Sequence, residues 1–508
     1  MKKLLSSTLA LLLMLTAVGC SSQTNGSTDT PQAASTSAVP VDDTTAAPEP
    51  YYLDTLPDVK YDGVTFTMVG ESYDQRPNFG TGELNGDNVN DAIYKRQMAL
   101  EERYKIKIES VAHSSRSKCT KDVNNMVLSN DDTYDLVFNA MATSGINAIA
   151  SAGSLVELSS LPYLDFTRDH WAQTFIDNMT VDGKLFFAAG GTSPSYYLSA
   201  VACLFNADKA ADYQLPDLYR LVEDGKWTVD KMGELLAQCN ADLDGDNVYS
   251  PIKDFIGLVQ TVEAGRGYFV AAGGKMIEKN NDGTFSLELG SDKNVALMDK
   301  LRSIFGNPEN TLTIDAEATV DLGNTKSTKI GLFVQEHAMF ATTAMMFAAQ
   351  ELREMNDSYG MLPLPKLDEV QERYITPANP YAPCATGIPR SATDVEMSAL
   401  IMEAMAFLGE ELIRPAVYDI TLQGKLTRDE QSSKMLELIY NDIYFDFNFC
   451  FDFGKSTQLL RSYIVGDDAH DLIRNRGFMS SYTIIQKVAN NEMSELIDAL
   501  NAQEAAAQ

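Results

Sequence analysis

The chain is poor in the residues that most often do chemistry. Its 508 residues include only four histidines, at 113, 170, 337 and 470, and two tryptophans. The histidines show no metal-ligand spacing, and there is no H-E-x-x-H, no G-x-S-x-G elbow and no G-x-x-x-x-G-K-[ST] phosphate loop. Acidic pairs such as Glu101-Glu102 recur so often that none of them marks a glycosidase dyad. The chain therefore reads as a binding protein, not an enzyme, with no cofactor required. Basic residues are also scarce: 40 Lys and Arg stand against 71 Asp and Glu, a formal charge of -31. That balance excludes nucleic acid and adhesion to anionic lipid, which both demand basic patches, and reads as solubility at a crowded surface. After the first twenty positions no apolar run approaches the roughly 20 residues of a membrane span. Cysteine is equally sparse. Cys119, Cys203, Cys239, Cys384 and Cys450 are odd in number and contain no C-x-x-C pair, which fits neither a disulfide framework nor a zinc site. They read as small buried hydrophobes, with a bridge between one pair left open.

What is present starts at the N-terminus. Lys2 and Lys3 precede an apolar stretch over 9–15 and the small residues Ala17-Val18-Gly19, directly before Cys20. Charge, apolar core and small residues at a cleavage point make a secretory signal. With Cys20 it resembles the lipobox of bacterial lipoproteins, although Ala17 stands where Leu is commoner. The resemblance implies a diacylglycerated Cys20 as first residue of the mature chain, anchored to the outer face of the cytoplasmic membrane, or within a periplasm where an outer membrane exists. Residues 21–50 are Ser, Thr, Ala, Gln, Asp and Pro with almost nothing large and apolar, a composition that cannot offset the entropy of ordering. They read as a disordered tether with a reach of roughly 30 Å.

Order is expected from Tyr61. Residues 63–69 alternate as a strand, Asn90-Asp91 caps a helix, 106–111 is a strand, 120–128 a helix, and 134–138 an apolar run suited to a buried parallel strand. That alternation is the doubly wound α/β pattern. A chain this long exceeds the roughly 250–300 residues of one core, so two lobes are expected.

Further segments follow in an informative order. Ala152-Gly153-Ser154-Leu155-Val156-Glu157-Leu158, Val181-Asp182-Gly183-Lys184-Leu185-Phe186-Phe187, Leu204-Phe205-Asn206-Ala207-Asp208 and Gly225-Lys226-Trp227-Thr228-Val229-Asp230 are followed by Gly267-Tyr268-Phe269-Val270-Ala271-Ala272-Gly273-Gly274, Glu336-His337-Ala338-Met339-Phe340, Tyr359-Gly360-Met361-Leu362-Pro363-Leu364-Pro365-Lys366 and Gly387-Ile388-Pro389. Together they resemble the family 1 extracellular solute-binding proteins of ABC importers, the maltodextrin-binding class. The resemblance implies an α/β, two-lobed periplasmic-binding-protein-like type II fold with an interlobe ligand cleft. By motif position the first lobe is 55–192 with 385–430, and the second is 198–380 with the C-terminal helices 431–508. The crossovers fall near 193–198 and 382–387. It implies capture of a small solute, most simply a carbohydrate, by hinge closure, and delivery to the transmembrane subunits of a permease. A glycan-binding or sensory lipoprotein that does not transport, or an extracellular hydrolase, are the alternatives.

Candidate ligand residues follow from the same resemblance. Tyr268 and Phe269 align with the sugar-stacking pair of the second lobe, and Tyr196 and Tyr197 sit at the first crossover. Asn139 ends the 134–138 strand and Tyr381 lies near the second crossover. Trp171 and Trp227 read as structural. The stretch after Met339 lacks the tryptophan of the maltodextrin pattern, which argues against maltodextrin itself. Separately, Asn240-Ala241-Asp242-Leu243-Asp244-Gly245-Asp246-Asn247-Val248 spaces oxygens at alternate positions around a glycine. Two readings stand: a structural Ca2+ loop using Asp242, Asp244, Asp246, the Val248 carbonyl and Asp254, or a solvated acidic turn. It is not a full EF-hand, because Pro251 occupies the twelfth position.

Overall fold

In Thr65–Glu71 (β1) Phe66 and Met68 are buried between the more open Thr65 and Thr67, every residue from Met68 on is buried, and the strand heads a doubly wound unit. The computed structural model describes residues 50–72, 78–142, 144–246, 253–280, 284–314, 320–321, 326–327, 330–421, 430–441, 443–467 and 476–505. The signal segment, Cys20, most of the tether and Val248 lie outside them. Helix α1 (Asn88–Tyr104) is capped by Asp87, whose side chain accepts from Asn90 N, one turn ahead of the expected cap. The Asn90 side chain is committed elsewhere, to Thr81 N and the Glu83 carbonyl. Strand β2 (Lys107–His113) and helix α2 (Arg116–Leu128) follow, α2 starting a turn before the expected Thr120. Strand β3 (Leu136–Ala140) is buried at every position, as a covered parallel strand requires.

The chain then passes through α3 (Pro194–Leu198) into a second sheet. It contributes β4 (Val201–Asn206), α4 (Val229–Gln238), β5 (Ile256–Thr261), α5 (Ala264–Ala271), β6 (Thr311–Ile314), β7 (Ala338–Ala344) and β8 (Tyr359–Leu362). Thr228 caps α4 by accepting from Lys231 N, as the sequence indicates. The return strand β9 (Cys384–Gly387) joins the first sheet, so this crossover ends before Cys384, not at Gly387. The sheet orders are β9-β3-β1-β2 and β8-β4-β7-β5-β6. Strand β9 runs against β3 with Cys384 opposite Ala140, and β4 runs against β7 with Val201 opposite Ala344. The remaining neighbours of β1 and β5 are parallel to them.

Helix α6 (Val395–Thr421) packs on α1 and runs uninterrupted through Gly409 and Pro415. Beyond it come α7 (Glu430–Asn441), α8 (Ser456–Ile464) and α9 (Phe478–Ala505). These C-terminal elements contact both lobes, not the second alone. Thr174 Oγ1 donates to the Ile443 carbonyl, Asn178 Nδ2 to that of Phe445 at 2.7 Å, and Asn147 Nδ2 to that of Cys450 at 3.0 Å. On the second lobe Arg302 Nη1 donates to the Tyr463 carbonyl and Tyr482 Oη to that of Leu287, each at 2.7 Å. At the far end of α9, Leu500 lines a groove of about 590 Å3 with Leu155, Phe186 and Arg390 of the first lobe. The physical reason is burial: the apolar faces of three extra helices need more surface than one lobe offers. No helix among the described residues is long and apolar enough to cross a membrane.

Two buried carboxylates give the fold a pH signature. Burial holds Asp135, beside Thr67 N, at about 6, and burial likewise holds Asp446, which caps the helix starting at Phe447, at about 6. Both stand above their unfolded value, so the folded state binds more protons and gains stability as pH falls through 6 toward 4. The expected gain is about 1 kcal/mol per group between pH 7 and pH 5. A melting temperature that rises over that interval, with the rise abolished in the double variant D135N/D446N, is the expected result. A rise that persists in the variant would assign it to other groups.

Candidate functional site

In open α/β sheets ligands bind beyond the carboxyl ends of the strands. Here the carboxyl ends of β5 and β7 lie at the same edge as the start of β4, where the chain enters from the first crossover. The two crossovers touch at this edge: Ala200 bridges Ala378, and Asn379 N donates to the Ser199 carbonyl at 2.8 Å. Between them lies a small cavity of about 20 Å3 whose polar lining is Thr261, Glu263, Arg266, Thr342, Thr343 and Asn379. It has room for about one water.

Arg266 dominates the lining. It is 2% exposed, with Nη1 2.9 Å from Glu263 Oε2 and Nε 3.5 Å from the Thr457 carbonyl. Its Nη2, and the buried Thr343 Oγ1 that also lines the cavity, have no hydrogen-bond partner among the described residues. Glu263 also pairs with Arg461 of α8, so two guanidiniums share one carboxylate. Burial pushes the Arg461 guanidinium below its usual range, partly offset by Asp467. The plane of Tyr381 carries Arg266 of the second lobe and Arg116 of the first, each 5.5 Å from the ring centroid. Each such contact contributes about 0.5–2 kcal/mol. Tyr381 thus joins the lobes beside the cavity.

The other sequence candidates fall in different places. Asn139 is fully buried and spends its amide on Thr120 Oγ1 at 2.9 Å and the Arg116 carbonyl at 3.2 Å, while its Oδ1 accepts from Ala140 N. It positions the start of α2, which carries Arg116. Tyr196 stacks on Phe445 with centroids 5.8 Å apart and is half-buried. Tyr197 is 2% exposed and donates to Glu410 Oε2 at 2.5 Å; burial pushes its phenol far up. Tyr268 lies flat on Phe305 at 3.6 Å, and its hydroxyl meets Thr342 Oγ1 at 2.7 Å. Phe269 is fully buried beneath Gly274. Neither ring of this pair exposes a face: Phe305 and Thr342 cover Tyr268, and Gly274 lies against Phe269. Tyr268 backs the cavity wall through Thr342 and does not form the wall. Trp171 and Trp227 are buried, their indoles bonded to Glu403 Oε2 and the Pro363 carbonyl.

The acidic loop is brought together in part. Carboxylate oxygens of Asp242, Asp244 and Asp246 lie within 4.8 Å of one another, all exposed, and Lys253 Nζ sits 2.8 Å from Asp244 and 3.7 Å from Asp246. Asp254 does not join them. It is buried, and its Oδ1 accepts from Leu243 N at 2.9 Å. All five cysteines beyond Cys20 are buried and unbridged, and burial raises the thiols of Cys119, Cys203, Cys239 and Cys450, that of Cys239 to about 12.

Sequence reasoning missed Arg266, Glu263, Arg461 and Arg116. A signal existed for two of them, because Glu263 and Arg266 stand three apart at the head of an otherwise apolar helix. Arg461 and Arg116 reach the site only through the fold.

No family model matches the chain, and no curated protein is similar to it in sequence. Solved structures are similar in fold. A sugar transporter from Rhizobium etli, in an open conformation, is 12% identical, with a TM-score of 0.54 over 86% of this chain and 100% of that one. UspC of M. tuberculosis is also 12% identical, with a TM-score of 0.54 over 84% of this chain and 100% of that one. At this identity the likeness shows the fold: two α/β lobes of the solute-binding type II arrangement.

Proposed function

We propose that the protein is a family 1 solute-binding protein of an ABC importer, anchored through Cys20 and carrying its solute between the lobes to a membrane permease. The observation that supports this reading best is the polar cavity at the crossovers, lined from the second lobe up to Asn379 and Pro380, with Tyr381 next in the chain carrying arginines of both lobes. A similar fold in a Rhizobium etli sugar transporter makes a sugar the solute of choice. Polar groups that converge at a strand edge fix a ligand's orientation without reacting with it.

A cavity of about 20 Å3 is far below the roughly 300 Å3 of an ordinary ligand site. Solute therefore enters with the lobes apart, and contacts to both lobes favour closure. Spin labels at Leu128→Cys, on the first lobe, and Val370→Cys, on the second, report that motion. These side chains are 84% and 86% exposed, while the five thiols among the described residues are buried. The expected result is a distance distribution that shortens and narrows with one member of a panel of mono- and oligosaccharides. An unchanged distribution across the panel, with no thermal stabilisation, would overturn the reading.

A further inference from the structure

We infer that the solute carries a carboxylate, and that Arg266 is the group that selects it. The inference rests on the solute-binding reading above and specifies its substrate class. In a chain of net charge -31, the cavity is a local exception. Glu263 is the one carboxylate lining it, and that carboxylate is shared by Arg266 and Arg461. Asp467 offsets Arg461, so the two guanidiniums and two carboxylates balance, and Arg116 across the Tyr381 ring supplies the positive charge. Arg116 has no ion-pair partner among the described residues.

The hydrogen-bonding inventory points the same way. Nη2 of Arg266 is a charged donor, buried and without a partner among the described residues, in the wall of the cavity. Leaving such a donor unmet is costly, so an arriving acceptor gains more here than at the surface. Thr343 Oγ1, also in that lining, is likewise without one. Asn379 uses Oδ1 to accept from Tyr381 N, which leaves its amide as the donor. The α5 N-terminus at Ala264 also lines the cavity and favours negative charge. Charged and neutral donors therefore converge from the Arg266, Thr343 and Asn379 side chains. Two oxygens of one carboxylate suit that set: one facing Nη2, the other the threonine and asparagine. A neutral hydroxyl would satisfy geometry but leave the positive charge uncompensated. Combined with the sugar reading, the solute is a uronic-acid glycan fragment, and a free small carboxylate is the other source of the same group.

The test is calorimetric titration of the full chain with matched ligands: oligogalacturonate, a neutral galacto-oligosaccharide of equal length, and acetate. We expect the acidic oligosaccharide to bind at least about tenfold more tightly than the neutral one, with acetate weaker than both. Arg266→Gln should remove that preference, lowering the acidic oligosaccharide's affinity to that of the neutral one or below, and circular dichroism checks its fold. Arg116→Gln, on a half-buried residue with little bearing on folding, should lower the preference in part. Equal or tighter binding of the neutral sugar would overturn the carboxylate assignment and leave the sugar-binding reading intact. An acid preference unchanged in both variants would overturn Arg266 as its source. Tighter binding of acetate than of the oligosaccharide would overturn the glycan and keep the carboxylate. If no member of the sugar panel binds, the solute-binding reading falls and this inference with it.

Discussion

Glu403→Ala is expected to lower stability by about 3–5 kcal/mol, the usual cost of removing one member of a buried, hydrogen-bonded charged group. Glu403 lies on the inner face of α6 and is fully buried. Its Oε1 meets His170 Nε2 at 2.8 Å and the Tyr52 hydroxyl at 2.7 Å; its Oε2 accepts from Trp171 Nε1 at 2.9 Å and Asp165 N at 3.2 Å. Alanine deletes all four acceptor contacts at once and leaves the Trp171 and His170 donors, 1% and 5% exposed, unmet in a dry interior. Glu403→Gln keeps one oxygen but turns an amide donor toward donors, so an intermediate loss is expected. Denaturant unfolding of the three proteins measures this, and a loss below about 1 kcal/mol for the alanine variant would refute it. Tyr52 gives the cluster a further role. Through it the cluster clamps the segment around Tyr52 onto α6, so the alanine variant should also expose residues 50–56 to protease.

The fold was readable where a local pattern coincides with the tertiary need. Strand β1 alternates over its first half, where Thr65 and Thr67 are more open than Phe66 and Met68, β3 is buried at every position with Asn139 its one polar residue, and Thr228 caps α4 because an N-cap needs no distant partner. Reading failed where a distant contact overrides a local signal. Asn90 has the chemistry of a cap, yet its side chain is claimed by Thr81 and Glu83, and Asp87 caps instead. Gly409 and Pro415 look like the end of α6, yet packing on α1 carries the helix through both. The site is the extreme case. Tyr268 sits at the aligned position, but Phe305 and Thr342, which no local pattern places against it, cover that ring and turn it into core. Helix α8 separately delivers Arg461 to Glu263, so distant packing removes the expected aromatic wall and supplies a charged one.

Gly409→Ala is expected to destabilise the protein by about 2–3 kcal/mol, against the sign that helix propensity gives. In an unconstrained helix interior, alanine in place of glycine gains roughly 0.5–1 kcal/mol. Here a Cβ on Gly409 would collide with the carbonyl of Gly191, and one on Gly191 with the backbone of Ala406 and Glu410. Both obstacles are main chain, which cannot rotate away, so α6 and the 190–192 segment must separate. That segment is fixed from its other side as well. Arg96, fully buried and held by that burial at about 9, donates from Nη1 to the carbonyls of Gly191 at 3.1 Å and Thr192 at 2.7 Å. One residue further, Ser193 meets Asn78 and Ser195, and Ser195 Oγ accepts from Cys384 N at 2.9 Å. A shift at Gly191 is therefore carried into both crossovers, because Ser195 belongs to the first and Cys384 closes the second. The variant should consequently change the interlobe distance reported by labels at positions 128 and 370 as well as the melting temperature. A variant that melts lower with an unchanged distance would confine the effect to packing. One that melts higher would show that the close approach of the two glycines does not hold in solution.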